Sequence, residues 1–256
     1  MKYVFGGHEK FECKSDWVSK FLIEYSKDNE ILHKDIDTVI ARLGLGKNMI
    51  GSLKYWLRHL GIYDGDLSEF GEIVKENDIF LESKNTLMLM HYHLCKTPTI
   101  YNLFFNRFFY LKFKKEKLIL DLSEFNVSQN TIANDIDTFI RLYTQGIFRD
   151  LNFFEKEEYI SLNIGMSVDD NVFLYALYDV FEMKNQISMS VYDLEKGDIS
   201  LLQIFAMDEN SFFNKINKIE KISNSAIEYR ESSGFKTLYL KEKLNKNEIL
   251  RNCVEI

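Results

Sequence analysis

Apolar positions recur at helical spacing through most of this chain, and alternation typical of strands is confined to one place near its end. "WVSKFLIEYSKD" has a helical stripe, and "KDIDTVIARLG" follows as a short amphipathic helix with Ile36, Val39, Ile40 and Leu43 on one side. Gly44 stands where a left-handed residue ends a helix. In "NMIGSLKYWLRHLG" the apolar stripe is Ile50, Leu53, Leu57 and Leu60, so two helices joined by a glycine-containing turn predict a helix-turn-helix. "NTLMLMHYHLCK" is apolar almost throughout and predicts a buried helix.

The logic returns in "LSEFNVSQNTIANDIDTFIRLYTQG", where Ser128 is placed to cap a helix with Ile132, Ile136, Phe139, Ile140 and Tyr143 inward. A third version runs from "DDNVFLYALYDVFEMKN" through "ISLLQIFAMDENSFFNKINKIEKIS", with Asp208 as cap and Phe212, Ile216 and Ile219 inward. "AIEYRESSGFKTLYL" then alternates on both sides of Ser-Ser-Gly as a β-hairpin does. The predicted fold is mainly α with small β-hairpin wings (α+β), built as tandem winged helix-turn-helix units. The expected division is an N-terminal helix-turn-helix domain over 1–105, a second over 106–165 and a winged-helix-like domain over 166–256.

Composition narrows the function classes. Apolar residues make up 46% and charged residues 28% of the 256, ordinary values for a globular protein, and proline occurs once, at Pro98. No run of apolar residues is long enough to span a membrane and no signal segment opens the chain, which predicts a soluble, cytoplasmic protein. Cys13, Cys95 and Cys253 are scattered, without a C-x-x-C pair, as reduced thiols are.

"RLGLGKNMIGS" invites a nucleotide-loop reading, because glycines and a lysine open a helix. The P-loop spacing fails: Ala41 stands where the first glycine belongs, and Asn48 follows Lys47 in place of Ser or Thr. The dinucleotide pattern fails at Met49. His91, His93 and Cys95 invite a metal, but on a helix residues two apart point away from each other, so they read as packed or hydrogen-bonded core. His8-Glu9 lacks the second ligand of H-E-x-x-H and reads as a structural turn that hydrogen-bonds neighbouring backbone. No pairing of nucleophile, base and oxyanion donor emerges. Neither enzymatic activity nor a cofactor nor a metal ion is expected.

Charge sharpens one segment. The chain carries −7 overall, yet Ile36 to Leu60 holds Arg42, Lys47, Lys54 and Arg58 against Asp37, a local +3. Such a reversal on a second helix is the electrostatic footprint of a DNA reader. Lys47, Lys54 and Arg58 are placed to neutralise phosphates, Asn48 and Ser52 to reach base edges, and Tyr55 to join them. Gly51 on the same face costs helix stability and suggests close approach by a partner. On the second motif Asn130, Asn134 and Arg141 are the matching candidates, with Gln129, but Asp135 and Asp137 beside them meet phosphates badly. A further basic cluster, Arg107, Lys112, Lys114, Lys115 and Lys117 against Glu116, is interleaved with aromatics. Single strands are held that way, but an aromatic core stripe with outward lysines is the preferred reading.

"FGGHEKF", "LGLGKNMIGSLKYWLRHLGI", "LMLMHYHL" and "VSQNTIANDIDTFIRLY" together resemble an uncharacterised bacterial family, domain of unknown function 4007 (DUF4007). The family's F-x-G-H-E-x-F, V-G-K-N-M, L-L-H and N-T-x-x-x-D-x-x-x-F patterns are met by Phe5–Phe11, Leu45–Met49, Leu89–His91 and Asn130–Phe139. Met90 interrupts the L-L-H run, and Asn134-Asp135 replaces the usual basic-acidic pair. The resemblance covers roughly the first 150 residues well and the rest loosely. It implies winged-helix architecture and an association with anti-phage defence loci, in places beside DNA phosphorothioation genes, and it brings no catalytic residues. Double-stranded DNA is the expected partner; other subunits of a defence complex and a second copy of the chain are further candidates. The rival expectation is a non-enzymatic interaction subunit whose winged helices dock other proteins.

Overall fold

A computed structural model describes residues 2–254. Helix α1 (Ser15–Lys27) leads through a 3-10 turn to α2 (Ile36–Leu43) and α3 (Lys47–His59). Asp35 caps α2 by accepting from the Thr38 N–H at 3.0 Å, and Gly44 ends it at φ +66, as the helix-turn-helix pattern requires. Val39 and Leu43 of α2 are buried, whereas Ile36 stays exposed; on α3 Ile50, Leu53, Trp56 and Leu57 face the core. After α3, a single bridge between Tyr63 and Leu67 takes the place of a sheet.

Next come α4 (Glu69–Asn77), α5 (Lys84–Lys96) and α6 (Ile100–Leu103), which runs into a π-helical turn. Thr86 to Cys95 of α5 are all buried, so this helix is enclosed on every side. Then β1 (Lys112–Phe113), α7 (Lys115–Leu122), α8 (Gln129–Thr144), β2 (Phe154–Lys156) and β3 (Ile160–Leu162) form a unit. Its antiparallel sheet has the order β1-β3-β2, with Phe113 opposite Ile160 and Phe154 opposite Leu162. Ser128 caps α8 by accepting from the Thr131 N–H.

A second such unit follows the buried helix α9 (Asp170–Lys184). It comprises β4 (Ser188–Ser190), α10 (Val191–Lys196), α11 (Leu201–Ile204), α12 (Glu209–Asn217), α13 (Ile219–Ile222), β5 (Ile227–Ser232) and β6 (Phe235–Leu240). Its sheet order, β4-β6-β5, repeats the pattern of the first: the hairpin's second strand lies centrally, flanked by the strand that precedes the helices. The chain closes with α14 (Lys246–Val254), which lies against α4, α5 and α9. The fold is therefore mainly helical with two small antiparallel sheets. One contiguous apolar cluster runs from Cys13 to Val254 and crosses both expected domain boundaries, and α14 returns the end of the chain to helices near its start. Among the described residues no helix is long and apolar enough to cross a membrane.

Buried polar groups tie the helices together. His91 of α5 donates from Nε2 to the Ile204 carbonyl at 2.6 Å and meets the Tyr143 hydroxyl at Nδ1 at 2.7 Å. His93, two residues on, points elsewhere and contacts the Tyr175 hydroxyl at 3.2 Å. Both are core histidines, as helical geometry predicts.

Candidate nucleic-acid interface

The outer face of α3 begins at Gly46, which offers no side-chain cap, so the first-turn N–H groups of the helix stay open to outside acceptors. Lys47, Asn48, Gly51, Lys54 and Arg58 are exposed along it. Their charges are not equally free. Arg58 is held by Asp64 at 2.5 Å, and Arg42 is turned back onto α1, bonded to Glu24 and Asp28 at 2.7 Å each. Lys47 and Lys54 pair with no carboxylate among the described residues; Lys54 Nζ donates only to the Leu32 carbonyl, at 2.9 Å. The basic face expected from sequence thus narrows to two uncompensated lysines and one arginine that shares its charge.

Two α3 residues need correction. Ser52 is wholly buried, with Oγ directed at the Phe11 carbonyl at 3.4 Å, and cannot reach a base edge. It falls on the core side because the buried sector of α3 is wide enough to take Trp56 beside it. Tyr55 is half-buried: its ring stacks on His59 at 4.0 Å and lies beneath Gly7, where an added Cβ would come within 2.5 Å of the ring. Burial, and then the charge of Asp135, push its hydroxyl pKa well up. Tyr55 is a wedge, not a free contact.

That wedge belongs to a seam between α3 and α8. The loop Gly6 to Glu12 fills it. Gly6 N–H donates to both oxygens of Asp135 at 3.0 Å, and Trp56 Nε1 donates to the Phe11 carbonyl at 2.9 Å. Arg141 donates from Nε to Glu12 at 2.9 Å and from Nη2 to the Lys10 carbonyl at 2.7 Å. Arg141 is therefore held as a clamp on this loop, a role that spacing on α8 does not show. Asp135, placed near the outer face by spacing, is buried. Asn130 is exposed and Asn134 half-buried at the start of α8. His8 Nδ1 accepts from the Lys10 N–H at 3.2 Å, so "GGHEKF" is the structural turn its sequence indicates.

The other basic cluster is neutralised by folding except at Lys112, which is exposed over the Tyr159 ring with no carboxylate partner among the described residues. Arg107 pairs with Glu124, Lys114 with Glu158, Lys115 with Asp137 and Lys117 with Asp121, while Phe104, Phe105 and Phe113 enter the core. On the second hairpin Arg230 and Lys241 share Glu228.

A cleft of about 410 Å³ opens beside α3, lined by His33, Lys54, Arg58, His59, Tyr63 and Asp64 among others. His59 Nδ1 is bound to the Tyr55 carbonyl at 2.8 Å, and burial lowers its pKa, partly offset by that hydrogen bond. Because a carbonyl only accepts, the imidazole carries a proton on Nδ1, and burial disfavours its charged form. His33, Tyr63 and Asp64 escape a reading by motif, because only folding carries the 31–33 turn and the loop after α3 to one side of the helix.

The model of a family described as "Protein of unknown function (DUF4007)" matches residues 5–254, well beyond the part whose resemblance is legible by eye. None of the curated proteins matches the chain. Among solved structures, one titled "Magnesium ion-bound SspB crystal structure" is similar at 18% identity with a TM-score of 0.82, over 98% of this chain and 87% of that one. Another, "SspB crystal structure", has 19% identity and a TM-score of 0.75 over the same shares. At such identity the likeness is one of fold.

Proposed function

The chain belongs to the DUF4007 family, and from its own residues we propose that it binds double-stranded DNA as a multi-winged-helix protein, for target recognition or regulation in a bacterial anti-phage defence or phosphorothioation-type modification system. The observation that carries the reading is the pair Lys47 and Lys54 on the outer face of α3, exposed and, among the described residues, without a carboxylate partner. A lysine without an internal partner gains most from a phosphate, and the uncapped N–H groups beside Lys47 favour the same ligand. Asn48 stands next to them to reach a base edge. The winged-helix description is supported by the repeated strand, helices and hairpin pattern with the hairpin's second strand central. The place in defence rests on the family resemblance alone.

One fold neighbour is titled as magnesium-bound. Such a hard cation takes converging oxygen ligands. Among the described residues no three His, Cys, Asp or Glu side chains gather into a protein-built cage.

The test is the binding of a labelled duplex across a salt series. Wild type is expected to bind at about 150 mM salt, and Lys47→Glu with Lys54→Glu to lower the slope of log affinity against log salt by about two. An unchanged slope sinks the reading. A second reading, a protein-docking subunit, is favoured by one observation: Ile187, Tyr192 and Phe235 lie exposed around the second sheet. It takes precedence if no duplex binds.

A further inference from the structure

The geometry points to the cleft beside α3 as a seat for a single nucleotide unit, a phosphate with its base attached. It goes beyond the duplex-binding reading, because neither Lys47 nor Asn48 lines the cleft. Lys54 Nζ spends one hydrogen on the Leu32 carbonyl and keeps two for a ligand, with no carboxylate to compete. Arg58 uses Nε and Nη2 on Asp64 Oδ1 and retains Nη1. These donors suit a phosphate.

A bare phosphate does not explain the rest. The cleft, at about 410 Å³, has the size of a small-molecule site, and its lining carries acceptors as well as donors. With the His59 proton on Nδ1, its Nε2 carries a lone pair; Asp64 Oδ2 is left over by Arg58. An anionic oxygen would be repelled by both, whereas the amino or imino hydrogens of a base complement them. The rings of His33, His59 and Tyr63 supply apolar wall for a base. A lining that combines charged donors, neutral or anionic acceptors and aromatic rings matches a nucleotide better than a free oxyanion or an apolar ligand.

The same chemistry comes from a free mononucleotide or from an unpaired nucleotide within a strand. Calorimetry of the full chain at about 150 mM salt separates them, with inorganic phosphate, the four deoxynucleoside monophosphates and a 5′-phosphorylated tetranucleotide as probes. The expected result is binding of at least one monophosphate or the tetranucleotide about ten-fold tighter than inorganic phosphate. If the tetranucleotide wins, the source is a strand; if a monophosphate equals it, the source is the free nucleotide. Lys54→Gln is expected to weaken binding about ten-fold, and His59→Phe, which keeps a ring but removes the lone pair, to reduce discrimination among bases. Lys114→Gln, distant and paired with Glu158, is the matched control. Failure of every probe up to millimolar concentration overturns the proposal, as does binding unchanged in both variants. An unchanged salt slope in the Lys47→Glu, Lys54→Glu variant overturns only the duplex reading of α3, so the two fail separately.

Discussion

His8 Nε2 lies 2.9 Å from Asp135 Oδ1, with both side chains about 2% exposed. The approach is close, but the direction is poor for a hydrogen bond, and His8 Nε2 has no well-aligned acceptor. The Gly6 N–H supplies the aligned bond to the same carboxylate. Asp135 thus anchors on α8 the loop whose other side presses on Tyr55 and Trp56 of α3. Removing it leaves a buried histidine and a backbone donor without a partner.

Asp135→Ala is expected to destabilise the fold by about 3 kcal/mol, measured by urea unfolding. His8→Ala should cost less, and the double variant less than the sum of the two, because they share one contact. Additive losses would show that the pair is not coupled.

Gly7→Ala attacks the seam from its other side. The new methyl would meet the Tyr55 ring at 2.5 and 2.6 Å, so ring or loop must move. A loss of about 1–3 kcal/mol in the melting of the chain is expected. No change would mean that the loop yields freely and does not set the position of α3.

Much of this was legible in sequence, and the boundary has a physical cause. Helices with long stripes, such as α3 and α8, declare themselves, and capping chemistry marks the end of α2 at Gly44 and the starts of α8 and α12 at Ser128 and Asp208. Strands β1 to β4 span two or three residues each, too short for a period of two to show. Charge was legible only locally. Spacing finds Arg42 and Lys54 equally basic, yet Arg42 is neutralised by carboxylates on α1 and Lys54 is not. Ser52 and Arg141 take their partners from a loop more than forty residues away, which spacing along a helix does not show.

Arg141→Ala discriminates clamp from contact. It removes bonds to Glu12 and the Lys10 carbonyl, so a stability loss of about 1 kcal/mol is expected, discounted for partial exposure. The salt slope for duplex binding should not move. A slope lowered by about one without a change in melting would return Arg141 to the DNA surface.

Stability should also fall in mild acid through His91. Burial lowers its pKa from 6.5 to about 4, with the bond to the Ile204 carbonyl opposing only in part. The folded imidazole stays neutral where the unfolded one takes a proton. Between about pH 6.5 and 4 the unfolded chain binds more protons, so stability decreases as pH falls through that window, by about 3 kcal/mol in total. Asp179 acts lower. Burial raises its pKa, but the ammonium groups of Lys96 and Lys246 outweigh this and hold it below the carboxylate range, so its contribution is lost only below about pH 4. His91→Gln should reduce the slope of the upper part of the pH profile, leaving the share of His93, whose pKa burial also lowers, and should not change the lower part. A profile unchanged above pH 4 would assign that slope to another group.

Gly51 separates folding from binding. It sits inside α3 on the exposed face, and a Cβ built there meets nothing within 4 Å. Helix propensity alone predicts that Gly51→Ala stabilises the protein by about 0.5–1 kcal/mol. If a duplex lies against α3 between Lys47 and Lys54, the added methyl occupies the space of closest approach, and affinity should fall even as the melting temperature rises. The opposed signs are the diagnostic, because a variant that merely damaged the helix would lose both. Melting and duplex titration on one preparation decide it: a more stable protein with undiminished affinity would place the DNA elsewhere.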